Sequence, residues 1–287
     1  MIYLLLSILA STIIFINFKL FERFNINILQ AIVVNYFVAF ITGMIAYDGQ
    51  VQISQIPSLD WFYFTLILGA LFIIVFNLMA ITTQQSGLSV VSIATKMSVV
   101  IPVLFGLCYY KESLNGIKLT GIIIALIAVY LASNKSNEGI RIERKLFFLP
   151  ISVFIGSGVI DTSIKYLEDT YVDHNDVPLF SAIIFLAAAL VGLILIGFQV
   201  VKRNFKFDFK NIIAGVCLGI PNYFSIYFLV KTLRSDILES SGIFAINNVA
   251  IVTLSTFTGI LLFKEKLIRD NWIGIFLAIL SIILISL

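Results

Sequence analysis

Apolar residues run along this chain in long blocks, each cut off by a short charged or turn-forming stretch. A bilayer core about 30 Å thick takes about 20 apolar residues of helix per crossing. Ten blocks meet that requirement: 2–18, 28–47, 61–82, 88–110, 119–133, 147–167, 179–201, 209–230, 240–263 and 268–287. Backbone amides cannot go unpaired in hydrocarbon, so such blocks cross as helices; barrel strands would alternate with a period of two over about ten residues, and no such alternation is present. The pattern predicts an all-α polytopic membrane protein with ten transmembrane helices.

Composition sharpens this. Of the 287 residues 60% are apolar and 12% charged, with a mean hydropathy of +1.06, whereas soluble domains carry about 25% charged residues. Nineteen basic and 16 acidic side chains are too few to clothe a water-facing surface of this size. The 26 phenylalanines oppose disorder and the two cysteines oppose a disulfide scaffold. The net charge of +3 comes from scattered loop residues, not a basic stripe, so nucleic acid is not an expected partner. The first block has no basic residues before it and no small-residue cleavage site after it, and reads as a retained helix.

Ten crossings put both termini on one side. Loops on that side hold five basic residues, Lys111, Lys118, Lys165, Lys231 and Arg234. The opposite loops hold the other loop cations, from Lys19 and Arg23 to Lys266 and Arg269. Positive charge collects on the cytoplasmic face, so both termini are expected outside, in a cell membrane.

The polar interval 134–145 divides two stretches of similar length. Shifting the second back by 153 positions superposes Gly106 on Gly259, Lys111 on Lys264, Glu112 on Glu265, Leu114 on Leu267 and Gly121 on Gly274. Five crossings per copy would turn the copies opposite ways, giving two inverted five-helix repeats, 1–134 and 146–287.

The segment Tyr109-Tyr110-Lys111-Glu112-Ser113-Leu114 followed by Gly121, repeated as Leu262-Phe263-Lys264-Glu265-Lys266-Leu267 followed by Gly274, resembles the EamA-like branch of the drug/metabolite transporter superfamily. The resemblance spans the chain in two copies. It implies a ten-helix carrier with a central cavity, moving small metabolites such as amino acids or sugars along a gradient. Lys96 departs from the common pattern, in which this part of the fourth span is apolar; phosphate carriers of the superfamily do use basic residues on this helix.

Several polar side chains lie inside the blocks. Ser89, Ser92 and Lys96 recur at intervals of three and four on one stripe of the fourth span. A charge near mid-span costs about 2.5 to 3.5 kcal/mol on insertion scales, so Lys96 is an anchor for a substrate carboxylate or phosphate, a structural cation paired with Asp161 or with carbonyls, or a lysine deprotonated by burial. The ninth span carries Ser241, Asn248 and Ser255 at seven-residue steps with Asn247 beside them, a set that suits either a polar solute or interhelical bonding. Asp161, with Ser157 and Lys165 at four-residue spacing, is the one acid inside a span, and so a candidate coupling site or half of a surface ion pair. Asn35, Asn77, Asn222, Tyr223 and Tyr227 are further cavity candidates or packing contacts. Lys111-Glu112 and Lys264-Glu265 sit at helix ends and read as solvated or interfacial ion pairs, with substrate contact as the alternative. Cys108 and Cys217 read as inert thiols, and His174 stands in a polar loop. No metal-ligand spacing and no Walker-type loop is present, so neither a metal, a cofactor nor nucleotide drive is expected.

An intramembrane enzyme lacks a second buried acid, a membrane histidine and an HExxH motif. The reading is a secondary carrier of an anionic or zwitterionic metabolite working by alternating access. A multidrug or sugar carrier of the same fold, or a non-transporting scaffold, is the alternative. Its partners would be a small-molecule solute and the bilayer, with a homodimer as an open assembly.

Overall fold

The structure is a computed structural model that describes residues 2–47, 53–109, 116–133, 144–172, 176–202, 206–233 and 240–286. Those residues contain eleven α-helices and a short 3-10 helix, Ile53–Ser58, and no strand. The helices are α1 Ile2–Arg23, α2 Ile28–Ile45, α3 Phe62–Ser86, α4 Leu88–Met97, α5 Val100–Tyr109, α6 Gly116–Ser133, α7 Arg144–Tyr171, α8 Val177–Val201, α9 Phe209–Leu233, α10 Ser240–Phe263 and α11 Arg269–Ser286. Among the described residues, eight helical stretches are long and apolar enough to cross a membrane, counting Leu88–Gly106 as one.

Helix ends follow local chemistry. The side-chain oxygen of Asn27 accepts from the Gln30 N–H at 3.1 Å and caps α2. Asp208 plays that part for α9, accepting from the Lys210 N–H at 3.1 Å, and this bond holds its carboxyl below the ordinary carboxylate range. The fourth predicted span departs from expectation, because it is two short helices, α4 and α5. The reason is Pro102. It has no N–H to give the Ser98 carbonyl and its ring crowds that oxygen, so the Ile101 N–H takes the carbonyl instead at 2.9 Å.

The helices form two compact units. One contains Met1–Leu20, Leu78–Val159 and Phe224–Leu287, the other Phe21–Asn77 and Ile160–Tyr223. In the first, α6 packs along α11, and α4 lies against α10 and α6. Gly121 permits the α6–α11 approach, since a Cβ there would stand 3.0 Å from the Ile285 backbone nitrogen. The Ser281 hydroxyl donates to the Gly121 carbonyl at 2.8 Å across the same contact.

In the second unit α2 packs on α8. Aromatic rings fill the space between helices: Trp61 meets Phe180 edge-on at 5.5 Å, and Tyr36 stacks on Phe185 at 6.0 Å. The Tyr36 hydroxyl donates to the Phe72 carbonyl at 2.9 Å, so burial of that ring strands no polar atom. Small residues let helices approach closely, as with Gly69 of α3 against Ala187 and Ala188 of α8. Lipid tails are as apolar as leucine, so helix association in a membrane rests on this dense packing and on interhelical hydrogen bonds.

Candidate functional site

In the first unit the polar residues gather on α4 and α10. Helix α4 begins after Gly87, whose φ of 108° is a conformation that side chains disfavour, and no side chain of its own caps it. Glu265 supplies the cap from elsewhere in the chain. Its Oε1 accepts from the Leu88 N–H at 2.6 Å, and its Oε2 accepts from the Ser89 N–H at 3.4 Å and the Ser89 hydroxyl at 3.1 Å. A carboxylate at a helix N-terminus meets both unpaired amides and the positive end of the macrodipole.

The local sequence aims that carboxylate. Beyond the end of α10, Lys264 turns the chain with a φ of 54°, and the Glu265 N–H donates to the Gly259 carbonyl at 3.0 Å. Gly259 leaves the room the carboxylate occupies, since a Cβ there would come within 2.5 Å of Oε2. The reading of Glu265 as a solvated ion-pair member is therefore corrected: it is half-buried and bonded to α4. A cavity of about 160 Å³ opens beside it, lined by Lys19, Gln84, Lys266 and Asn271 among others.

Lys96 lies midway along the Leu88–Gly106 stretch, as expected, but in the last turn of α4, where the helix breaks. Pro102 again is the cause. A half-buried ammonium there lies where the helix presents unpaired carbonyls, which favours a cation. The hydroxyls of the same helix turn back on it: Ser92 donates to the Ser89 carbonyl at 2.9 Å and Thr95 to the Val91 carbonyl at 2.8 Å. Ser92 is fully buried and keeps only acceptor capacity for anything else. On α10, Asn247 is buried and its Oδ1 has no hydrogen-bond partner, while Asn248 is half-buried. Ser255 donates to the Val252 carbonyl at 3.0 Å. The Ser241 side chain and His174 lie outside the described residues.

The second unit holds the other candidates. Asn35 of α2 is fully buried, and its Oδ1 accepts from the Asn222 amide of α9 at 3.1 Å, while its own Nδ2 has no partner. Gly219 allows this approach, because a Cβ there would stand 2.7 Å from the Asn35 carbonyl oxygen. Tyr223 is buried beside Gly43. Asn77 is half-buried and donates to the Ile73 carbonyl of its own helix at 2.7 Å. Asp161 and Lys165 are exposed on α7; Ser157, on the part of α7 that belongs to the first unit, is buried.

Sequence reasoning missed a second polar junction in this unit. Asn211 Oδ1 accepts from the Asn27 N–H at 2.9 Å, its amide donates to Gln30 Oε1 at 2.7 Å, and the Gln30 amide donates to the Lys206 carbonyl at 3.0 Å. Each amide meets a partner, so the junction ties the start of α2 to the start of α9. No spacing rule flags it, because its members lie far apart in the chain. Cys108 and Cys217 are exposed and not joined in a disulfide, and in the first unit Lys231 stands over the rings of Tyr227 at 4.7 Å and Tyr3 at 5.4 Å.

Residues 1–134 match the model of a family described as the EamA-like transporter family. An uncharacterised protein of Haemophilus influenzae is 27% identical over 284 residues, covering 97% of this chain and 95% of its own. A solved crystal structure aligns with 98% of each chain at a TM-score of 0.58 and 14% identity, a likeness of fold.

Proposed function

The chain's first 134 residues belong to the EamA-like transporter family, and from that premise we propose that it is a gradient-driven carrier of a small anionic or zwitterionic metabolite. The chain is a multi-pass membrane protein of the drug/metabolite transporter type. The observation that carries the solute class is Lys96, a half-buried cation at the break of the fourth span. Discontinuous membrane helices present helix termini to solutes and ions at mid-depth. An ammonium at such a terminus attracts a carboxylate or phosphate, and the acceptor of Ser92 with the amides of Asn247 and Asn248 would bond the polar remainder. Asn35, Asn77 and Tyr223 are proposed solute contacts in the second unit, and Asp161 the coupling site. The movement would be alternating access of two inverted repeats, 1–134 and 146–287.

The test is uptake by the purified chain in proteoliposomes. Saturable accumulation of an organic acid or amino acid, abolished when the ion gradient is collapsed, is the expected result. Flux that rises without saturation, or none for any solute that raises the unfolding temperature, would reject the carrier.

Orientation has its own measurement. A cysteine in place of the exposed Lys202, at the end of α8, in a chain lacking Cys108 and Cys217, should resist an impermeant maleimide on intact cells and react after permeabilisation. Immediate labelling of intact cells would place the termini inside.

A further inference from the structure

Glu265 joins two pieces of chain remote in sequence. Its carboxylate accepts three donors from the first residues of α4, the Leu88 N–H, the Ser89 N–H and the Ser89 hydroxyl. Two glycines make the seat. A Cβ at Gly259 would stand 2.5 Å from Oε2, and one at Gly87 would stand 3.0 Å from Oε1. The same carboxylate lines the cavity of about 160 Å³ that also holds the side chains of Lys19 and Lys266.

These facts describe an element with two available partners. In one, the carboxylate closes the end of α4. In the other, it would turn into the cavity toward Lys266 and toward Lys19, whose ammonium now donates to the Gln84 carbonyl at 3.3 Å, opposite charges that would offset the lost helix-end bonds. The helix it holds bears Ser92 and Lys96 and is severed from α5 by the Pro102 break, so its start can shift without dragging α5.

We propose that Glu265 is a positioning residue that fixes the start of α4, and that its transfer from Leu88 and Ser89 to the cavity lysines is the step that lets α4 move in the transport cycle. The idea rests on the carrier reading of the chain, and it assigns to this glutamate a regulation of the solute site rather than contact with solute. Population of the released state then depends on both the helix-end bonds and the two lysines.

Ser92 reports on the seat without a solute. It is fully buried on α4, one turn beyond Ser89, and cysteine is close to it in size. In the full chain in proteoliposomes, with Cys108 and Cys217 replaced by serine, Ser92→Cys should react slowly with an impermeant maleimide. Adding Glu265→Gln, which removes the charge at equal size, should speed labelling at least tenfold with the unfolding temperature little changed. Adding Lys19→Ala and Lys266→Ala to the Ser92→Cys chain should slow it, because the released carboxylate loses its second partner. Equal labelling with and without Glu265→Gln, or a fall in unfolding temperature with no gain in labelling, would overturn the proposal. If Glu265→Gln does not fold, Glu265→Asp, which keeps the charge at shorter reach, should also label faster, and an unchanged rate there is equally fatal. A chain that moves no solute in uptake assays yet shows the labelling pattern would sink the carrier reading and spare the switch.

Discussion

Replacing Gly69 with valine should destabilise the folded protein by about 3 kcal/mol, the upper end of what overpacking a tight contact costs. A Cβ at this position would stand 2.6 Å from both Ala187 Cβ and the Ala188 backbone nitrogen. The obstacle is backbone and a methyl group, neither of which can swing aside, so α3 and α8 would have to part. Gly197, farther along α8, is the internal control, since nothing lies within 4 Å of a Cβ built there. There Gly→Ala should be neutral or stabilise by about 1 kcal/mol through helix propensity. Reversible unfolding in mixed micelles measures both. Equal losses at the two sites would mean that the α3–α8 contact is looser than described.

Lys96→Ala should cut transport of a monocarboxylate by about tenfold to a hundredfold, the range expected when a charge-assisted hydrogen bond worth about 1.5 to 3 kcal/mol is lost. A neutral solute of equal size should lose much less. Lys96→Arg keeps the charge but offers a planar fork in place of a compact ammonium, and partial recovery of the acidic solute is the expected result. Uptake in proteoliposomes under a fixed gradient, compared across the three chains, gives the answer. Activity of Lys96→Ala equal to the parent on every solute would remove the basis for an anionic substrate.

Helix positions were readable from the hydrophobic blocks because the bilayer imposes one length and one backbone solution on every crossing. Each described α-helix overlaps a predicted block, with ends displaced by a few residues: α2 stops at Ile45 and α3 continues to Ser86. The break within the fourth span had a visible signal in Pro102. The hydropathy of the run as a whole does not register it, because a missing N–H leaves a residue as apolar as before. Glu265 was seen as half of a repeated Lys-Glu pair, yet its role depends on Gly87, Ser89 and Gly259, which only folding brings to it. Much the same holds for Asn35 and Asn222: sequence marks each as a costly amide in an apolar helix but cannot say that they bond to one another. Interhelical pairing is set by shape complementarity between surfaces far apart in the chain, and a single sequence carries no record of it.

The interruption after Met97 has a mechanical meaning. Ser98 and Val99 are the only residues between two rods of ten residues apiece, each about 15 Å long. Rotation about their four backbone torsions re-aims the upper rod, while the price in peptide bonding is limited to the pair of contacts that bridge the joint, Ile101 to Ser98 and Val103 to Val99. An unbroken span would have to bend several turns of its ladder to turn the Lys96 ammonium by the same angle. The joint thus concentrates compliance at one depth in the membrane, and substitution of Pro102 by alanine would stiffen it.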